Sequence, residues 1–147
     1  MILAKDLTEV RKRDFLKNYN HYNDLNNIET KLVFGKHYDD EVFLTIILPV
    51  YDHPEEFIKR ALDSALEQKC NYLYQIIVID DYAKEKGQTV TEKYIRKLND
   101  SRVIYYKNTK NMGVFGNWNR AVSLAKSKWV SFLHSDDFLK DNYLQNM

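Results

Sequence analysis

Four stretches of this chain are apolar almost without interruption, and between them the apolar residues recur at helical spacing. The first, Leu44-Thr45-Ile46-Ile47-Leu48-Pro49-Val50, reads as a strand buried on both faces of a parallel sheet. Pro49 brings no N–H to a central ladder, so it belongs at the end of that strand. Tyr51-Asp52-His53 forms the following loop, and Pro54 opens a helix as its first residue. Ile58, Ala61, Leu62, Ala65 and Leu66 give that helix one apolar stripe. Tyr74 to Ile79 is the second strand. The spacing then predicts a helix from about Thr89 to Leu98 with Val90, Tyr94 and Leu98 on one side, and a third strand from Arg102 to Lys107. A polar loop through Asn111-Met112-Gly113 leads into a helix with Trp118, Ala121, Val122 and Ala125 on its inner face, and Trp129 to Leu133 is the fourth strand. Strands alternating with helices predict an α/β fold, a mostly parallel sheet flanked by helices with its loops gathered along one edge. Tyr51, Asp81 and Asp136 are expected to share that edge.

Upstream of Leu44 the pattern is weaker. Leu3, Leu7 and Val10 have helical spacing, with Arg11-Lys12-Arg13 on a polar side, and such a basic amphipathic stretch suits either solvent or peripheral contact with an anionic membrane surface. Asn18 to Asn27 lacks periodicity and reads as a loop, Lys31 to Gly35 as a short edge strand, and Asp39-Asp40-Glu41 as an acidic turn. The expected division is therefore an N-terminal helical extension and linker over 1–42 and a main domain over 43–147.

Composition narrows the function. With 22 Lys and Arg against 21 Asp and Glu, the formal charge is +1, so nothing draws the 147-residue chain as a whole toward nucleic acid. A lone cysteine, Cys70, cannot form an internal disulfide or a cysteine-rich zinc site, which fits a reducing cytoplasm. No apolar run approaches the roughly 20 residues that a membrane helix needs.

The second and fourth strands both end in paired carboxylates, Asp80-Asp81 and Asp136-Asp137. In open α/β sheets ligands lie outside the carboxyl ends of the strands. Two adjacent carboxylates repel, and a divalent cation is a simple way to keep both ionised. The plainer role for Asp136 is to cap a helix starting near Phe138, and for Asp80 and Asp81 a solvated turn or a helix cap. No glycine-rich dinucleotide or P-loop fingerprint occurs. An acid can accept from a base N–H or a ribose hydroxyl, Tyr51 can stack on a base, and a metal can bridge a diphosphate. Together these outline a nucleotide-diphosphate site.

From about Leu44 to Met147 the chain resembles the N-terminal half of family-2 glycosyltransferases. The matching motifs are Ile47-Leu48-Pro49-Val50-Tyr51-Asp52, Ile76-Ile77-Val78-Ile79-Asp80-Asp81, Asn111-Met112-Gly113 with Asn117-Trp118-Asn119, and Phe132-Leu133-His134-Ser135-Asp136-Asp137. The resemblance implies a GT-A (Rossmann-like) sheet, with Pro49, Tyr51, Asp80, Asp81 and Asn111 around the nucleotide. It also implies Asp136 and Asp137 as the DXD-like metal site for Mg²⁺ or Mn²⁺. The implied reaction is inverting transfer from a nucleotide-diphosphate sugar, a UDP-sugar foremost, to a glycan or lipid-linked acceptor. Two positions depart from the family pattern: His134 stands where many relatives carry an acid, and Trp118 where many carry Arg. The acceptor-binding half with its catalytic base is expected beyond Met147, so the chain corresponds to a donor-binding half with apolar surface open to self-association. Two rival readings are a non-catalytic nucleotide-binding module and a nucleotidyltransferase.

Overall fold

A computed structural model describes residues 27–81 and 87–147. The helix expected near the N-terminus, with its membrane-contact reading, lies outside the described residues. Five strands, β1 (Thr30–Phe34), β2 (Leu44–Val50), β3 (Tyr74–Asp80), β4 (Val103–Asn108) and β5 (Trp129–Phe132), form one sheet in the order β1-β4-β3-β2-β5. β2, β3, β4 and β5 run parallel, and β1 pairs antiparallel with β4. Three helices, α1 (Glu55–Leu66), α2 (Val90–Leu98) and α3 (Gly113–Leu124), connect the parallel strands.

The handedness of the connections fixes the layers. From β2 to β3 to β4 the chain steps one way across the sheet, and right-handed crossovers put α1 and α2 on the same face. From β4 the chain returns past β3 and β2 to reach β5, so α3 crosses on the opposite face. The core splits accordingly. Ile46, Leu48, Ile76, Val78, Val103 and Tyr105 pack under α1 and α2, whereas Ile47, Ile77, Ile79 and Ile104 pack against Ala121 of α3. Every residue of β2 and β3 is buried, as their unbroken apolar runs require.

Several expectations change at this level. β1 is an edge strand of the same sheet, so the sheet begins upstream of the boundary drawn at residue 43. Gly35 ends it at φ +77°, where a Cβ would collide with the Val103 carbonyl. Pro54 stands at the N-cap, one residue outside α1. In α2 the buried side chains are Thr91, Glu92, Tyr94 and Ile95 while Val90 is exposed, because the inward face is centred near Thr91 and Ile95, roughly 100–140° round the helix from Val90. In α3 the inward positions are Gly116, Asn117 and Ala121, and Val122 faces solvent, a helical step of 100° from Ala121. No helix starts near Phe138; after a tight turn the chain crosses α1 and closes in a 3₁₀ turn, Leu144–Asn146.

Candidate functional site

Direction of progress reverses between β2 and β5, which makes the gap at their carboxyl ends the topological switch point. Pairing of β2 with β5 stops at Ile47↔Phe132, with Leu133 N donating to the Ile47 carbonyl at 2.9 Å. On its other side β2 continues beside β3 as far as Val50, whose carbonyl accepts from Asp81 N at 2.9 Å. Backbone groups alternate sides along a strand, so the missing N–H of Pro49 faces the β5 side, beyond the last ladder bond. Proline therefore costs the sheet nothing where the two strands part.

The crevice opened there is a cavity of about 320 Å³ lined by Pro49, Val50, Tyr51, His53, Asp81, Asn111, Gly113, Val114, Asn117, Trp118, His134, Ser135 and Asp136. Tyr51 stands half-exposed at the rim. Asp81 is buried in the wall, where its Oδ1 accepts from Asn108 Nδ2 at 2.8 Å and from Met112 N at 2.8 Å. Its Oδ2 accepts from Met112 N at 3.0 Å. Burial pushes the Asp81 carboxyl above the ordinary carboxylate range, and the bonds from Asn108, Met112 and Gly113 only partly offset it. Asp81 thus anchors the loop after β4. Gly113 takes φ +70° to let that loop turn into α3, and its N–H donates to Asn111 Oδ1 at 2.7 Å. Asn117 Oδ1 accepts from Asn108 Nδ2 at 2.9 Å, so one amide ties β4, β3 and α3 together below the cavity.

Asp80 is absent from the cavity wall. Successive strand side chains point to opposite faces, and Asp80 lies beneath α2, where Oδ2 accepts from the Tyr105 hydroxyl at 2.6 Å and from Thr89 Oγ1 at 3.0 Å. Thr89 caps α2 through Glu92 N at 3.2 Å, so Asp80 holds the start of that helix. Its neighbour Tyr105 is pushed far above the usual phenol range, by burial first and then by the Asp80 charge.

The turn after β5 closes with Asp137 N donating to the His134 carbonyl at 3.0 Å. Asp136 lines the cavity, whereas Asp137 is exposed beside it and does not. Among the described residues no group of three or more His, Cys, Asp or Glu could hold a metal ion. Mg²⁺ and Mn²⁺ commonly take one or two carboxylates and draw further oxygens from a substrate's phosphates, and Asp136 and Asp137 are the carboxylates this turn presents. His134 packs its ring on Trp118 at 5.0 Å, and Trp118 also meets Phe132 at 5.2 Å. Trp118 is therefore half in the core and half in the cavity wall, beyond the purely packing role its spacing implied. Sequence reasoning placed His53 in the loop without a role and passed over Ser135; the two meet across the cavity rim, His53 Nδ1 to Ser135 Oγ at 2.6 Å.

A mostly parallel open sheet with a polar and aromatic cleft at its switch point is the architecture of open α/β proteins, which bind their ligands at the carboxyl ends of the strands. The sequence profile of Glycosyl transferase family 2 matches residues 45–147, and the chain belongs to that family. It is 32% identical over 103 residues to the Escherichia coli UDP-Glc:alpha-D-GlcNAc-diphosphoundecaprenol beta-1,3-glucosyltransferase WfaP, covering 70% of this chain and 39% of WfaP. Among solved structures it is similar to Staphylococcus aureus TarS 1-349 in complex with UDP-GlcNAc, with a TM-score of 0.58 and 22% identity over 71% of this chain and 30% of that TarS 1-349 chain. It is also similar to the Pyrobaculum calidifontis mannosyltransferase PcManGT in complex with GDP-Man and Mn²⁺. There the TM-score is 0.56 at 18% identity, over 86% of this chain and 36% of PcManGT. These likenesses give the sheet as GT-A. The chain spans between 11% and 39% of the length of the curated relatives it matches. Among the described residues no helix is long and apolar enough to cross a membrane.

Proposed function

We propose that this chain forms the donor site of a glycosyltransferase, taking a nucleotide-diphosphate sugar, with UDP as the favoured nucleotide. The observation that carries the reading is the pair of carboxylates, Asp81 and Asp136, brought by separate strands to one cleft at the switch point. In this reading Tyr51 stacks on the base over the floor made by Pro49, and Asp81 accepts from the base or ribose. Asn111 contributes a polar rim, and Asp136 with Asp137 would hold a divalent cation. A bound Mg²⁺ or Mn²⁺ supplies Lewis-acid stabilisation of charge on the leaving diphosphate. Asp80 has no direct part; it supports the site through Thr89 and Tyr105. The acceptor is a glycan or a lipid-linked saccharide, its hydroxyl activated by a base that we assign to no residue of this chain. Reaction on the cytoplasmic side fits the lone cysteine.

Calorimetry with UDP, with and without Mn²⁺, tests the assignment. Affinity that rises with Mn²⁺ is the expected outcome, and equal affinity in chelator would remove the metal from it. Release of pyrophosphate instead of nucleoside diphosphate during turnover would move the protein to the nucleotidyltransferases.

A further inference from the structure

β5 is four residues long and lies at the sheet edge, and its last ladder bond is made by Leu133. The turn that carries Asp136 and Asp137 begins one residue later, so the sheet alone does not fix its height over the cavity. Helix α1 reaches it instead. Arg60 Nη2 donates to the backbone carbonyl of Asp136. The Arg60 guanidinium carbon also lies 5.6 Å from the centroid of the Phe57 ring and 5.7 Å from that of the Phe138 ring, so two aromatic rings help to hold the fork in place. Beyond the turn, Leu139 N donates to Ser64 Oγ of the same helix at 2.9 Å.

We propose that Arg60 is a positioning residue for the acidic turn: it clamps the Asp136 carbonyl to α1 and thereby sets where the Asp136 carboxylate meets a ligand's diphosphate. Arg60 does not line the cavity and acts only through the turn. The His53–Ser135 contact secures the same turn from the β2 side. A carbonyl gripped by a charged donor leaves the neighbouring side chains free for a ligand, which a carboxylate paired to arginine would not be.

The functional half of this inference rests on the donor-site reading, so the test has two independent readouts. Hydrogen exchange follows the amides of residues 135–138, and calorimetry follows UDP with Mn²⁺, beside uridine, which lacks the diphosphate. In Arg60→Ala the turn amides are expected to exchange about tenfold faster, with protection in β2 and β3 unchanged; UDP affinity falls about tenfold and uridine affinity stays, the scale of one lost charge-assisted hydrogen bond. Arg60→Lys, which keeps a charged donor, restores most of both. Phe138→Ala, removing one of the two rings against the guanidinium, reproduces the Arg60→Ala change in part. Unchanged exchange in Arg60→Ala overturns the clamp. Faster exchange with unchanged UDP affinity overturns its role in donor binding. If the wild type binds no UDP, the donor-site reading fails while the exchange data still decide the clamp.

Discussion

Asp81→Asn separates the nucleotide-binding role of the β3 carboxylate from its role as a loop anchor. In the native site Asp81 accepts from Asn108 Nδ2 and Met112 N on Oδ1, and from Met112 N again on Oδ2. An asparagine can keep its single oxygen in the Oδ1 position and satisfy both donors, leaving its NH₂ beside an N–H that already has a partner. The loss is the extra strength of a charged acceptor, offset by the end of the desolvation penalty that raises the carboxyl in the native fold. Stability should therefore fall by only about 1–2 kcal/mol, read as a lower urea midpoint with unchanged slope. Binding is a different matter. The acceptor lone pair left on Oδ2 for a base N–H or ribose hydroxyl is replaced by a donor, and a charged hydrogen bond of about 1.5–3 kcal/mol is lost, one to two decades in UDP affinity. Mn²⁺ binding in the absence of nucleotide should barely change. Titrations at a temperature where the variant is fully folded give the answer. If UDP binds Asp81→Asn with wild-type affinity while stability drops, Asp81 is an anchor only, and the assignment to the nucleotide is wrong.

The same variant carries a pH prediction. The native state holds the Asp81 proton to a higher pH than the unfolded chain, whose value is near 3.8, so this group's stabilisation is full below 3.8 and is lost as pH rises through the folded value. The deficit of Asp81→Asn against wild type should widen on acidification across that window in urea melts, and a deficit that narrows would contradict the shift. Asp136→Ala and Asp137→Ala should each weaken the Mn²⁺ dependence of UDP affinity in calorimetry, and the Asp136 change should be the larger because that residue alone of the two lines the cavity. Tyr105→Phe removes one donor from the buried Asp80 carboxylate and should cost about 2–3 kcal/mol in chemical denaturation; a tenfold loss of UDP affinity in the folded variant would put Asp80 in the site after all. Val114, Phe115, Trp129 and Val130 are exposed together with the free edge of β5. We expect concentration-dependent self-association by sedimentation, reduced in Phe115→Ser; a monodisperse monomer at high concentration would refute it.

The fold was legible where burial is two-sided. β2 and β3 carry apolar residues at nearly every position because both sheet faces are covered, and such runs stand out without any reference to partners. Helix faces were less legible. The stripe of α1 is uniform and was read correctly except that Leu66 is only partly buried, whereas α3 buries Asn117 and exposes Val122. The reason is that Asn117 completes a polar network with Asn108 and Asp81, so hydrophobicity is the wrong guide at that turn. β1 joins the sheet through antiparallel pairing to β4, 70 or more residues away in sequence, and a break in register between Leu32 and Phe34 blurs its alternation.

At the site, the sequence marked chain positions and left side-chain direction open. Asp80 and Asp81 are adjacent and chemically identical, yet strand alternation sends one beneath α2 and the other into the cleft. The parity was available in principle: Val78 and Asp80 share one face, Ile79 and Asp81 the other. What was missing was which face α2 and α3 each cover, and that follows only from the strand order, since the reversal from β4 to β5 is what carries α3 to the opposite side. The same reversal explains why His53, Ser135 and Arg60 could not be paired in advance. Each contact joins the β2–α1 segment to the turn after β5, more than 70 residues further along the chain, and the two meet only because β5 inserts beside β2. A motif search finds the carboxylates, while the residues that hold them at working height belong to the topology.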